Sequence, residues 1–127
     1  MSRIVLVVED DIDVLEAHQI VLEHSNYEVV TATNIKVAEE VMEHNKIDLI
    51  ILDVMMEKSS DGFNFAQFVK MDQRFKHIPI IMATAVNKRT KFKFDIKQNG
   101  NFLPVEKFME KPIDPDDLIA TIRGLLK

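Results

Sequence analysis

Hydrophobic and polar positions along this chain follow two different periods. Short segments rich in apolar residues occur at Ile4–Val8, Tyr27–Ala32, Leu49–Asp53, Ile78–Ala83 and Phe108–Glu110. Segments of this length predict strands, and the continuous run ending at Asp53 predicts one buried on both faces. Between them apolar residues recur every three or four positions, the period of a helix with one buried face. Val14, Leu15, His18, Val21 and Leu22 mark a first helix. Val37, Ala38, Val41 and Met42 mark a second, with Thr33 or Asn34 able to cap it. Phe65, Phe68 and Val69 predict a short third helix after a turn at Asp61-Gly62. Phe92 and Ile96 give a weaker fourth, ending near Asn99-Gly100. Leu118, Ile119, Ile122, Leu125 and Leu126 give a fifth, opened by Asp114 as N-cap and Pro115 at the first helical position.

This alternation predicts a doubly wound (βα)5 fold: a parallel five-stranded sheet with helices on both faces and right-handed crossovers. No internal repeat, low-complexity segment or linker interrupts it, so residues 1–127 are expected to form a single domain. The irregular stretch from Asn101 to Lys107 is longer than a tight loop needs.

Composition narrows the function. Apolar residues make up 46% and charged residues 29%, as in soluble globular domains. A net charge of −5 argues against general nucleic-acid binding and is compatible with a metal site. Without cysteine there is no disulfide, thiolate metal site or thiol nucleophile. The first apolar run is too short for a signal-peptide core, and no segment approaches membrane-spanning length, so a cytoplasmic protein is expected.

The chemistry lies where the strands end. The first strand runs into Glu9-Asp10-Asp11 and the third ends in Asp53. In open α/β sheets this carboxyl edge is where ligands bind. Asp11 alone suits the positive end of the following helix. Glu9, Asp10 and Asp53 together are costly without a cation, and hard oxygen donors in small number suit Mg²⁺. The fourth and fifth strands deliver Thr84 and Lys111 to the same edge, a hydroxyl donor and a point positive charge for phosphoryl oxygens. Asp53 then has the surroundings of a nucleophile able to form an acyl phosphate.

The set Val7-Val8-Glu9-Asp10-Asp11, Leu52-Asp53-Val54-Met55-Met56, Ala83-Thr84-Ala85 and Lys111-Pro112, in this order, resembles the receiver domain of two-component response regulators. The resemblance covers the whole chain. It implies a flavodoxin-like strand order 2-1-3-4-5. It makes Asp53 the phosphoacceptor and Asp10 a direct Mg²⁺ ligand. Glu9 supports the metal and the backbone carbonyl of Met55 completes the protein ligands. It makes Thr84 the switch hydroxyl, Phe108 the switch aromatic and Lys111 the phosphoryl-binding lysine, with a cis bond before Pro112. It places Met55 and Val86 beside the path of a hydrolytic water, where two apolar side chains imply slow self-dephosphorylation. The chain departs from the family pattern at Glu57, where proline is common, and in a longer segment between Gly100 and Lys111.

The function expected from this resemblance is a phosphorylation switch rather than an enzyme. Asp53 takes a phosphoryl group from a sensor histidine kinase or a histidine phosphotransfer protein. A downstream protein then reads the face formed by the fourth helix, fifth strand and fifth helix, with no direct contact to nucleic acid or membrane. A phosphatase or phosphotransferase with an aspartyl nucleophile is an alternative, but dehalogenase-like enzymes need a second acid two residues after the nucleophile, and Met55 stands there. A flavodoxin-like cofactor binder is another, but Glu9-Asp10-Asp11-Ile12-Asp13 would repel the phosphate such a loop should cradle. No output domain follows Lys127 in this sequence, which fits either a stand-alone receiver or part of a longer protein.

Overall fold

The structure is a computed structural model and describes residues 3–53, 59–84, 105–110 and 113–126. Its elements run β1 (Ile4–Val8), α1 (Ile12–His24), β2 (Glu28–Ala32), α2 (Ile35–His44), β3 (Leu49–Asp53), α3 (Ser59–Met71), β4 (Ile80–Thr84), β5 (Lys107–Glu110) and α4 (Pro115–Leu125). The five strands form one parallel sheet in the order β2-β1-β3-β4-β5, as the resemblance implied. The helix expected around Phe92 and Ile96 lies outside the described residues.

Alternation along the strands sorts the core into two layers. Leu6, Val8, Ile50, Leu52, Ile80 and Met82 face α2 and α3, where they meet Ala38, Met42, Phe65 and Val69. Val5, Val7, Leu49, Ile51 and Ile81 face α1 and α4, where they meet Leu15, Leu22, Leu118 and Ile122. Every residue of β3 is buried, as the central strand of a covered sheet must be.

Several boundaries differ from expectation, each for a local reason. Tyr27 does not join β2, because its amide closes α1 instead. The Tyr27 N–H donates to the Leu22 carbonyl and the Asn26 N–H to the Glu23 carbonyl, both at 3.0 Å. Asn26 takes the left-handed conformation between them, with φ at 71°. This is the Schellman arrangement, with asparagine where glycine is commonest. Strand β4 begins at Ile80 rather than Ile78: Pro79 has no N–H, and the Ile78 N–H is turned back onto the Phe75 carbonyl at 2.9 Å. Asp61-Gly62 is not a turn before a short helix; both residues lie inside α3, which spans 13 residues. Of the two candidate caps for α2, Asn34 acts, its side chain accepting from the Val37 N–H at 2.8 Å. Asp114 caps α4 and Pro115 opens it, as the sequence predicted. Val37 and Phe68, counted in buried stripes, are partly open to solvent.

Candidate functional site

Two adjacent parallel strands bring the acids together. Val8 pairs with Leu52, so the next residues, Glu9 and Asp53, face each other across the β1–β3 ladder. The Glu9 N–H donates to the Ala32 carbonyl at 3.0 Å, which carries β1's pairing with β2 one residue further. Side-chain alternation puts Glu9 with Val5 and Val7, and Asp53 with Leu49 and Ile51, on the α1/α4 side of the sheet. Both carboxylates are buried, Glu9 at 2% exposure and Asp53 at 3%. They are the buried charged residues among those described.

Asp10 is exposed and adds a third carboxylate. One oxygen from each of Glu9, Asp10 and Asp53 lies within 4.8 Å of the others. Two ligands about 2.1 Å from a common Mg²⁺ are themselves about 3–4 Å apart. The three acids therefore fit a small, hard cation after slight rotation or with one bridging water. Asp11 does something different. Its side chain caps α1, accepting from the Asp13 N–H at 3.0 Å and the Val14 N–H at 3.3 Å. Its own N–H donates to Glu9 Oε2 at 3.3 Å, which helps orient that carboxylate. Negative charge at this position also favours the helix N-terminus.

The remaining candidates are placed to different degrees. Thr84 ends β4, one strand from Asp53, which pairs with Ala83. Phe108 lies in β5 opposite Met82, half-buried against the layer that holds α2 and α3. Met55, Val86, Lys111 and Pro112 lie outside the described residues, as does the segment 101–104.

At the opposite, amino edge of the sheet is a polar clamp with no evident signature in the sequence. Glu106 Oε1 accepts from the Ile80 N–H at 2.8 Å, and Glu106 Oε2 meets Lys70 Nζ at 2.9 Å. Lys70 Nζ also donates to the Ile78 carbonyl at 2.6 Å. Asp48 similarly accepts from the Ile4 N–H at 2.8 Å. Sequence spacing cannot reveal such contacts, because Lys70 and Glu106 are 36 residues apart and meet only once the sheet is ordered.

A parallel 2-1-3-4-5 sheet with an acid cluster at the carboxyl edge of β1 and β3 is an open, flavodoxin-like α/β domain with a candidate cation site. The chain belongs to the response regulator receiver domain family, whose model matches residues 5–123. It is 32% identical over its whole length to the phosphate regulon transcriptional regulatory protein PhoB of Pseudomonas aeruginosa, covering 53% of that protein. It is 34% identical to the alkaline phosphatase synthesis transcriptional regulatory protein PhoP of Bacillus subtilis, again over its whole length and 50% of the relative. The chain thus spans about half the length of these curated relatives. Among solved structures, the chemotaxis response regulator CheY4 of Vibrio cholerae superposes with a TM-score of 0.84 at 30% identity, covering 99% of this chain and 100% of that one. The chain is a receiver domain of two-component response regulators.

Proposed function

We propose that Asp53 is the phosphoacceptor of this receiver and that its phosphorylation is the signal. The observation that supports this best is the burial of Asp53 at the end of β3, with oxygens of Glu9 and Asp10 within 4.8 Å. The donor is the phosphohistidine of a sensor histidine kinase or a histidine phosphotransfer protein. An Asp53 carboxylate oxygen forms the new bond to phosphorus. The P–N bond to the donor imidazole breaks, and its electron pair returns to the ring. Glu9, Asp10 and Asp53, with the Met55 carbonyl, would hold Mg²⁺. When bound, that ion supplies positive charge to the phosphoryl oxygens during transfer.

The backbone of Asp53 is paired with Ala83 of β4, so its carboxylate starts from a fixed place at the end of the central strand. Lys111 and Thr84 take phosphoryl oxygens once the acyl phosphate exists, as their places after β5 and at the end of β4 suggest. Phe108 follows, changing its packing as Thr84 moves. The consequence is a population shift between two states of the face that includes β5 and α4. A protein partner reads that face. The domain acts as a signalling phosphoacceptor, assisting only its own phosphorylation and dephosphorylation, in the cytoplasm, where the histidine kinase is charged from ATP. The net charge of −5 opposes direct contact between these 127 residues and a nucleic-acid backbone. Separately, no helix among the described residues is long and apolar enough to cross a membrane.

Intact-mass measurement after incubation with acetyl phosphate and Mg²⁺ tests the assignment. Wild type should gain one phosphoryl group and Asp53→Asn none. Equal labelling of both proteins would overturn it.

A further inference from the structure

On the sheet face opposite the acid cluster, α2 and α3 leave a cleft of about 220 Å³ lined by Ile35, Glu39, Asn64 and Phe65. Its inner wall is Phe65, which is 1% exposed, so the cleft reaches the core. Along α3, Asn64, Phe68 and Met71 stand at i, i+4 and i+7, one stripe on one side of the helix. Here the stripe is open. Phe68 is 37% exposed and Met71 84%. Phe68 is the middle and most exposed member of an aromatic row, its ring centroid 6.3 Å from both Phe65 and Phe75. Large apolar side chains left open beside a cleft mark an interaction surface rather than a packed core.

The rim has a sign. Beyond the C-terminal end of α3, the Arg74 guanidinium bridges Glu43 of α2 at 2.8 Å and Asp72 at 3.0 Å. It also lies 4.5 Å from the centroid of the Phe75 ring. Its hydrogen bonds to Asp72 hold that carboxyl below the usual carboxylate range. Arg74 is therefore already engaged. Glu39 and Glu40, on the cleft side and the outer side of α2, are in no ion pair among the described residues. Lys36, one turn earlier, offsets only one of them, so the rim is net negative.

We propose that the α2–α3 cleft docks a cationic amphipathic helix of a partner protein. An apolar side chain of the partner lies between Phe68 and Met71, and its flanking Lys or Arg residues pair with Glu39 and Glu40. Such a helix meets both the apolar wall and the charge of the rim. The surface faces away from the acid cluster, so it binds whether or not Asp53 carries a phosphoryl group.

The test is an NMR titration of ¹⁵N-labelled protein with ¹³C-methyl methionine. The probe is a short peptide with leucine and lysine at helical spacing, compared with the same peptide carrying glutamate for lysine. The lysine peptide should give saturable shifts at the Met71 methyl and at amides of α2 and α3, and the glutamate peptide none. Met71→Lys, at a site too exposed to disturb folding, should abolish binding. The pair Glu39→Gln and Glu40→Gln should weaken it about threefold to tenfold. No binding, or shifts confined to α1 and α4, would overturn the proposal. So would sedimentation showing a wild-type dimer that Met71→Lys dissociates, since the cleft would then belong to a second copy of the chain.

Discussion

Replacing Asp53 with asparagine should stabilise the metal-free protein, although it removes the residue on which the proposed activity depends. The substitution keeps the side chain's size and removes one buried charge. Glu9 is the other buried carboxylate, with an oxygen within 4.8 Å. At an effective dielectric constant near 20, two unit charges at that separation repel by about 3 kcal/mol. Hydrogen-bond donors offset part of this. The Asp11 N–H reaches Glu9 at 3.3 Å, and Glu9 and Asp53 each make further interactions. Asparagine also supplies an NH₂ donor that Glu9 can accept. A net gain of about 1–2 kcal/mol is expected, worth roughly 3–10 °C in melting temperature for a domain of this size. The assay is thermal unfolding followed by circular dichroism, in EDTA and across a Mg²⁺ titration. In EDTA the variant should melt above wild type. At Mg²⁺ ten times its dissociation constant, wild type should gain about 1.4 kcal/mol, and the variant less, so the gap narrows or reverses. A variant that melts below wild type in EDTA would refute the reasoning, since the acids would then be balanced by the protein itself and would have no need of a cation.

Two further outcomes follow from other parts of the chain. Met55→Asn combined with Val86→Glu should speed loss of the phosphoryl group severalfold to about tenfold, equivalent to about 1 kcal/mol of barrier, by giving the attacking water hydrogen-bonding neighbours; phosphate release at saturating Mg²⁺ measures it, and an unchanged rate would mean these side chains do not gate the water. Lys70→Met should lower stability by about 1–3 kcal/mol in urea unfolding, because it takes the Lys70 donor from the Ile78 carbonyl and from Glu106 Oε2, whereas Glu106→Gln should cost less because its oxygen still accepts from the Ile80 N–H.

How far the sequence could be read depended on whether the cause was local. Strands β1 and β3 are continuous apolar runs ended by acids, and both boundaries came out as the pattern predicted, because burial on two faces leaves a plain signature. The Asp114-Pro115 start of α4 was legible for the same reason, since capping chemistry is confined to adjacent residues. Helix α3 was misjudged because Asp61-Gly62 has turn chemistry in isolation, and the longer helical run from Ser59 to Met71 overrode it. The start of β2 was lost to the Asn26 cap, a backbone conformation that periodicity does not reveal. The identity of the acid cluster was legible from strand ends, but its geometry was not. That Glu9 faces Asp53 depends on the β1–β3 register, which exists only in the assembled sheet.

The two edges of the sheet show why acids at strand ends need not mean the same thing. At the amino edge, Asp48 accepts from the Ile4 N–H, and Glu106 accepts from the Ile80 N–H while pairing with Lys70. Each of these acids answers a donor that the start of a strand exposes, and they stand apart from each other in the sequence and along the edge. They are accounted for by the fold itself. At the carboxyl edge the ladder leaves carbonyls, not N–H groups, so the end of a parallel strand offers an acid less reason to be there. Yet it is here that Glu9 and Asp53 are buried side by side with Asp10 above them. Asp11, next to them, has a complete structural explanation as the cap of α1 and is set aside on that ground. Three carboxylates remain with oxygens within 4.8 Å of one another, at the edge where open α/β domains place their ligands, and like charges at that distance repel. A cation and a phosphoryl group bound there would turn the same crowding into a site.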